Sequence, residues 1–361
     1  MNKVKIAICV PTTSLGGAET MAAQLAKALN KDLFDVSFIT NHSLSKTRVL
    51  DIVTSDSNIK IYSLNEDAGM SLRARKKMMR ILKQIKPDVI HTHLHSYPYV
   101  MIYAIKHHIP IIHTMHNMPI FESKKLGRII LKFLFKHKFA IPVGISNIIS
   151  EQIKELYHVP SYTIYNPVDV SKFDIKKDKQ KQFTFITIGR MSEQKNQQLL
   201  LKSFRILVNN YKNVKLIFVG DGVLKDDLLK LTNDLKLNDY IEYVGNVNDV
   251  ENYLKIADAF VLSSIYEGLP MTILEAMAAS LPIISTNVGG VKDIVTNNGI
   301  LVKVDENDLA KAMLSLIENE KLCNEFKNNS YENAKNYDLS KIVKEYEELY
   351  FLYLKKKVKN K

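Results

Sequence analysis

Two carboxylates, Glu267 and Glu275, and two cations, Arg190 and Lys195, have the types and spacing in this 361-residue chain to do chemistry on a charged ligand. The carboxylates lie within DAFVLSSIYEGLPMTILEAMAASLPIISTNVGG, residues 258–290. Ala259–Leu262 is an apolar run of strand length, 263–270 is a polar break, and Ile273, Leu274, Met277 and Ala278 share one face of a helix. Pro270 suits the first turn of that helix, where a missing N–H costs little. Glu267 is therefore expected in the loop past the carboxyl end of a strand, and Glu275 one to two turns into the helix. Ligands of open parallel sheets bind at that edge. Two carboxylates with different surroundings there point to two different jobs.

The cations belong to Gly189-Arg190-Met191-Ser192-Glu193-Gln194-Lys195-Asn196, directly after the apolar run 183–188. They flank a loop entering a helix, an arrangement that can grip a diphosphate; two surface charges near a turn are the alternative. No GxxxxGK[ST] loop is present. Val219-Gly220-Asp221-Gly222 and Val244-Gly245-Asn246-Val247 end two further strands, so the same sheet edge collects several Gly-rich loops. In the first half, Gly16-Gly17-Ala18-Glu19 opens a helix after the first strand, where a helix start offers unpaired N–H groups to an anion. A plain tight turn fits these glycines equally well, and GxGxxG spacing is absent.

Histidines form a second constellation. His91, His93 and His95 alternate, which puts three imidazoles on one face if the strand continues. No carboxylate-rich motif accompanies them, so hydrogen-bonded structural histidines are the default and a metal site the minor alternative. His113 and His116 end the next apolar run, and one of the two is expected to face a cleft.

These residues need a scaffold of alternating strands and helices. Apolar runs fall at 5–10, 35–40, 59–64, 88–93, 110–113, 139–145 and 162–165, with helical periodicity at 18–29, 72–85 and 126–135. The polar stretch 169–182 interrupts the pattern as a linker. Strands then resume at 183–188, 214–219, 240–244, 259–262, 282–285 and 300–302, with helices between them. Alternation of this kind predicts parallel sheets covered on both faces. The expected organisation is two doubly wound α/β domains facing across a cleft, residues 1–168 and 169–338. Residues 339–361 add a long helix that packs back on the first domain and a basic tail.

Composition adds limits. The two cysteines, Cys9 and Cys323, indicate neither a disulfide scaffold nor a CxxC metal site. The N-terminal MNKVKIAICVPTT reads as a strand, not a signal peptide. No stretch reaches the ~20 apolar residues that span a bilayer. The expectation is a cytoplasmic protein, with a peripheral seat on the membrane left open. Net charge is +12, and residues 1–172 hold 23 Lys and Arg against 12 Asp and Glu, whereas 173–361 hold 27 against 26. A basic first half suits an anionic partner, or a solvated basic surface. Its charge concentrates in Arg73, Arg75, Lys76, Lys77 and Arg80, and in Lys124, Lys125, Arg128, Lys132, Lys136 and Lys138. The second group interleaves with Ile129, Ile130, Leu131, Phe133, Leu134 and Phe135, as in a helix lying on an anionic membrane surface. The lysines from Lys355 onward could extend that surface. No recognition motif for nucleic acid is present.

Taken together, these motifs resemble glycosyltransferase family 4, retaining enzymes of the GT-B fold, over nearly the whole chain. Glu267 and Glu275 within EGLPMTILEAMA match the family's E-x7-E. Gly16-Gly17-Ala18-Glu19, Gly189-Arg190 with Lys195-Asn196, Val219-Gly220-Asp221-Gly222 and Gly289-Gly290 match in the same order. Asn166-Pro167-Val168-Asp169 departs from the Asn-Gly-Val-Asp of many relatives.

The resemblance implies a nucleotide diphosphate sugar as donor, a UDP-sugar in preference to a GDP-sugar, with no cofactor and no metal. Arg190 and Lys195 would neutralise the diphosphate, and Gly16 and Gly17 would cap it from the first domain. Glu275 would accept hydrogen bonds from the ribose, and Val247 would lie against the base. Glu267, with the backbone of Gly268 and Leu269, would face the transferred sugar, and His116 would contact that sugar from the first domain. Retention then favours front-face departure, the leaving phosphate taking the acceptor's proton, over a covalent Glu267 intermediate. The implied reaction moves a hexose or N-acetylhexosamine onto a lipid-linked glycan in bacterial capsule, O-antigen or exopolysaccharide synthesis. A noncatalytic scaffold and a nucleotide-sugar epimerase are the alternative functions.

Overall fold

The computed structural model describes residues 3–14, 16–66, 71–173 and 181–359, with side chains as far as Leu354. Residues 174–180 of the polar stretch and the side chains of the lysines from Lys355 onward lie outside what is described. The chain divides into two compact units, Met1–Pro167 with Leu339–Lys361, and Val168–Asp338.

The first unit is built on a seven-stranded, all-parallel sheet. Its strands are β1 (Val4–Val10), β2 (Phe34–Thr40), β3 (Lys60–Ser63), β4 (Val89–His93), β5 (Ile111–Met115), β6 (Ala140–Gly144) and β7 (Tyr162–Thr163), in the order β3-β2-β1-β4-β5-β6-β7. The interior strands β4, β5 and β6 are buried at every position. Strands buried on both faces favour apolar side chains, and the polar ones that β4 and β5 carry, His91, Thr92, His93, His113 and Thr114, are buried with them. Strand order reverses between β1 and β4, which pair with Ile6 opposite Val89 and Ile8 opposite His91.

The second unit repeats the plan with six parallel strands. They are β8 (Phe183–Ile188), β9 (Val214–Val219), β10 (Ile241–Gly245), β11 (Ala259–Leu262), β12 (Ile283–Thr286) and β13 (Gly299–Val302), ordered β10-β9-β8-β11-β12-β13. Here the reversal falls between β8 and β11. The edge strands β10 and β13 are only half-buried, as expected where one side of the ladder lacks a neighbour. Phe204, Leu207, Phe185, Leu216 and Phe218 anchor the core on one face of this sheet.

Two details differ from expectation. The stretch 169–182 does not begin as linker, because Val170–Phe173 forms a helical turn whose Val170 and Phe173 are buried in the second unit. Pro270 stands just before its helix, as the N-cap of Met271–Ala278, instead of inside the first turn.

The long helix Leu339–Lys359 belongs to the first unit, and its buried face reaches that unit's sheet. Tyr346 and Tyr350 are fully buried. Tyr350 Oη lies 2.7 Å from His91 Nδ1, His91 Nε2 lies 2.8 Å from Thr114 Oγ1, and Thr114 Oγ1 lies 3.2 Å from Tyr346 Oη. Burial, reinforced by the nearby imidazoles of His116 and His113, holds His91 well below the ordinary histidine range. A neutral ring with both nitrogens partnered is the form such an interior tolerates. Asn30 also donates its backbone N–H to Glu347 Oε1 at 2.8 Å. Replacing Tyr350 by Phe leaves His91 Nδ1 buried and unpaired, so urea unfolding of Tyr350→Phe should show a loss of about 1–3 kcal/mol. Tyr346→Phe should lose less, because Thr114 keeps its bond to His91; equal losses would refute the proposed division of labour.

Candidate donor site at the strand ends of the second unit

The loops after β8 and β11 meet at the point where strand order reverses, the place where open α/β sheets form ligand crevices. After β8 the chain passes Gly189 and Arg190 into a short 3-10 turn, Glu193–Lys195. Asn196 then takes a left-handed conformation, φ 48°, and opens the helix Gln197–Asn210. Main chain and side chains stitch this turn to the loop after β11. Ile265 N–H donates to the Gln194 carbonyl at 2.8 Å, Gln194 Nε2 to the Tyr266 carbonyl at 3.0 Å, and Ser263 Oγ to the Lys195 carbonyl at 2.9 Å.

At the centre of this seam Lys195 Nζ donates to Glu267 Oε1 at 2.6 Å, and Ser264 Oγ donates to the same oxygen at 2.6 Å. Glu267 is buried and Lys195 partly so. Stranding either charge by removing the other from a buried pair typically costs roughly 3–5 kcal/mol. Ser264 is itself fixed, because its carbonyl accepts from Thr286 Oγ1 at 2.6 Å. Arg190 is exposed at the same edge, its carbonyl accepting from Gln197 Nε2 at 2.9 Å.

Two glycines are required by close backbone approach. Gly289 has φ 54°, and any Cβ there would overlap the Glu267 carbonyl. Gly290 N–H donates to the Gly268 carbonyl at 3.0 Å, so the loop after β12 lies directly on the Glu267–Gly268 backbone. Gly220 has φ 130°, a Cβ there would overlap the Gly189 carbonyl, and its N–H donates to the Gly245 carbonyl at 2.8 Å. The ends of β8, β9 and β10 are thus packed backbone to backbone.

The structure gathers Arg190, Lys195, Glu267, Gly268 and Leu269 into the loops that follow the adjacent strands β8 and β11, with Gly268 and Leu269 buried. Glu275 is buried in the helix Met271–Ala278 that follows. Val247 is half-buried beyond the edge strand β10. Ser264 was read only as part of a polar break; its place two residues past β11 and three before Glu267 is the signal that marks it.

The remaining predicted residues lie in the first unit. Gly16 is the N-cap of the helix Gly17–Ala28 and Gly17 is exposed. The Glu19 carboxylate folds back beside Gly16, accepting from Thr12 Oγ1 at 3.2 Å. His116 follows β5, and its Nε2 lies 2.8 Å from His93 Nδ1. Burial pushes His116 down to about 3, so both its nitrogens act as those of a neutral ring. The alternating histidines do not share a face: His91 and His93 stack at 4.2 Å, but the strand ends at His93 and His95 is exposed in a 3-10 turn. Among the described residues no group of three or more His, Cys, Asp and Glu side chains is placed to hold a metal ion.

Glu122, which no sequence feature had singled out, is buried beside these histidines. Its Oε2 accepts the backbone N–H of His116 at 2.6 Å and of Asn117 at 2.8 Å. Burial raises its carboxyl up to about 8, against the lowering effect of those two amides.

Family comparisons agree with this construction. A model described as glycosyl transferases group 1 matches residues 169–333, and one described as glycosyltransferase family 4 matches residues 15–172. An uncharacterized glycosyltransferase of Methanocaldococcus jannaschii is 32% identical over 337 residues, covering 76% of this chain and 82% of that protein. The chain belongs to glycosyltransferase family 4. Within the family it is 29% identical to an Escherichia coli UDP-Gal:alpha-D-GlcNAc-diphosphoundecaprenol alpha-1,3-galactosyltransferase over 349 residues, 90% of each chain. The two-sheet fold is that of GT-B glycosyltransferases. The Anabaena protein HepE in complex with UDP has a TM-score of 0.81 at 17% identity, over 96% of this chain and 99% of that one. A glycosyltransferase from Rickettsia africae has a TM-score of 0.83 at 20% identity, over 97% and 98%.

For this family 4 member, the Gly289 contact supplies a test of how the site is held. Gly289→Ala forces a left-handed alanine and a shift of the Glu267–Gly268 backbone. It should lower stability by about 1–3 kcal/mol and reduce glycosyl transfer, whereas Gly245→Ala, whose Cβ meets nothing within 4 Å, should be milder. The reverse ranking in thermal melts would show that the loop after β12 does not brace Glu267.

Proposed function

We propose that this chain is a metal-independent retaining glycosyltransferase that moves a hexose or N-acetylhexosamine from a UDP-sugar to a lipid-linked saccharide in bacterial surface-glycan synthesis. The observation that carries the donor assignment is the Lys195–Glu267–Ser264 seam at the switch point of the second sheet, with Arg190 exposed at the same edge. A diphosphate entering that edge is met by Arg190 and Lys195, which offset its charge and the charge that grows as the glycosidic bond breaks. Glu275 takes the ribose hydroxyls and Val247 the base. Glu267, with one oxygen already holding two donors, serves better as a fixed negative charge facing an oxocarbenium-like centre than as a nucleophile. The leaving phosphate accepts the acceptor's proton. Gly16, Gly17 and His116 take the roles the family resemblance gives them, and a neutral His116 acts as a hydrogen-bonding partner of the sugar.

The acceptor assignment draws on the E. coli relative, named for a diphosphoundecaprenol-linked substrate, and on surface chemistry in the first unit. The helix Lys125–Lys136 buries Leu131, Leu134 and Phe135 and leaves Leu126, Ile129 and Phe133 exposed, with Lys124, Lys125, Lys132 and Lys136 exposed around them. Apolar residues framed by lysines suit the headgroup layer of an anionic bilayer, for which an inner-face peripheral location follows. By contrast, Arg73 and Lys77 of the other basic stretch both pair with Glu66, at 3.3 and 2.6 Å, and are less available to a surface. No helix among the described residues is long and apolar enough to cross a membrane.

Two experiments test the proposal. UDP release from UDP-galactose, UDP-glucose and their 2-acetamido counterparts should fall about 100-fold or more in Glu267→Gln and in Lys195→Ala, with retained anomeric configuration in the wild-type product. Full activity in either variant, or an inverted product, would remove the mechanism; an epimerised donor without transfer would replace the function. Flotation with phosphatidylglycerol vesicles should recover the protein at low salt and weaken with added salt or with Lys132 and Lys136 neutralised. Absence of binding at low salt would remove the membrane seat.

A further inference from the structure

The short helix Pro119–Glu122 inverts the usual rule of burial. Ile120 and Phe121 are 57% and 59% exposed, while Glu122 between them and the next helix is only 5% exposed. Fully burying a Phe side chain is worth ~1.5–3 kcal/mol, and burying a carboxyl group carries a penalty unless it is hydrogen-bonded. Local stability alone would favour the opposite arrangement. The carboxyl group is inside because of what it holds.

What it holds is the backbone just past β5. Glu122 Oε2 accepts the N–H groups of His116 and Asn117 at 2.6 and 2.8 Å. The loop between is closed on itself: Met118 N–H donates to Asn117 Oδ1 at 2.8 Å, and Phe121 and Glu122 N–H both donate to the Met118 carbonyl at 2.9 Å. These bonds leave the residues 116–122 one conformation. The ring of His116 is then set from the other side by His93 Nδ1, 2.8 Å from its Nε2. We propose that Glu122 is the positioning residue for His116, clamping the backbone at one end of a brace whose other end is His93.

An ion pair with His113 is the competing account, since Glu122 Oε1 lies 3.9 Å from His113 Nε2. Burial argues against it from both sides, pushing His113 down to about 3 and Glu122 up to about 8, so that neither group is favoured as an ion there. At 3.9 Å the two side chains are also beyond hydrogen-bond range. The backbone clamp is left as the strong interaction, and it needs a carbonyl-type oxygen, not a charge. A glutamine offers the same oxygen at the same reach. Leucine fills the space without accepting, and aspartate is one methylene short.

This inference rests on the transfer reaction proposed above only for the purpose of the clamp, and its test separates the two. The full chain is labelled with 15N-histidine, and the His116 imidazole resonances are assigned by their loss in His116→Asn. Glu122→Gln should keep the wild-type His116 chemical shifts and tautomer, whereas Glu122→Leu and Glu122→Asp should shift or broaden them while His91 stays in place. Unchanged His116 signals in a folded Glu122→Leu or Glu122→Asp protein would overturn the clamp, as would a Glu122→Gln protein that loses them. In UDP release from the UDP-sugars named above, Glu122→Asp should lower kcat about tenfold with KM nearly constant. The same change should have no further effect in a His116→Ala background. Multiplicative losses in the double variant would mean that Glu122 does not act through His116. If His116→Ala releases UDP at the wild-type rate, the role given to His116 in transfer fails, while the imidazole spectra still decide the clamp.

Discussion

The Lys195–Glu267 pair is the constraint around which the second unit is arranged. A buried carboxylate is tolerable only with a cation and a further donor, and here both come from elements separated widely in sequence and adjacent in the sheet. Lys195 is brought there by β8 and its 3-10 turn, and Ser264 and Glu267 by β11. The reversal of strand order makes β8 and β11 neighbours. The loop after β12, passing over the Glu267 backbone at Gly289, prevents that segment from relaxing outward. The integrity of this edge therefore rests on contacts shared by three loops. The pair keeps a buried carboxylate and a partly buried ammonium mutually compensated at the strand ends.

The first unit accommodates its buried polar groups by a different route. Its interior strands carry His91, Thr92, His93, His113 and Thr114 at positions buried to the last atom, where charged imidazoles would be expensive. All are kept neutral and most are paired with hydroxyls, among them the tyrosines of the returning helix Leu339–Lys359. That helix both covers the sheet and supplies hydrogen-bond partners to His91 and Thr114. The histidines at the ends of β4 and β5 extend the same network outward, where His93 meets His116.

Burial and exposure run opposite to side-chain polarity in one region of the first unit. Between residues 119 and 136 a carboxyl group is buried and Ile120, Phe121, Leu126, Ile129 and Phe133 are exposed. Such patches on soluble surfaces mark contact sites, and the lysines interspersed among them give that surface a sign. The interior requirement, a clamped His116 loop, and the exterior one, an apolar basic face, are met by the same short stretch of chain.

How far the sequence could be read follows the range of the interactions involved. All thirteen described strands overlap runs read from the sequence, because most of their positions carry apolar or β-branched side chains that suit a sheet. The placing of Arg190, Lys195 and Glu267 past strand ends was legible because polar residues stand out after apolar runs, and that of Glu275 because helical periodicity follows Pro270. The sequence could not show that Lys195 and Glu267 share a proton-bridged contact, since 72 residues separate them and only strand order makes them adjacent. It likewise gave no sign that His95 leaves the face of His91 and His93, which depends on where β4 stops. Neither Tyr350, within the long last helix, nor Glu122 was singled out by any sequence feature. Their roles arise from a hydrogen bond across 259 residues in the first case and from a loop closing on itself in the second. Local composition therefore determined the elements and named the charged groups at their ends, while partnership, protonation and burial of those groups were decided only when the chain packed, because each depends on neighbours that sequence distance does not encode.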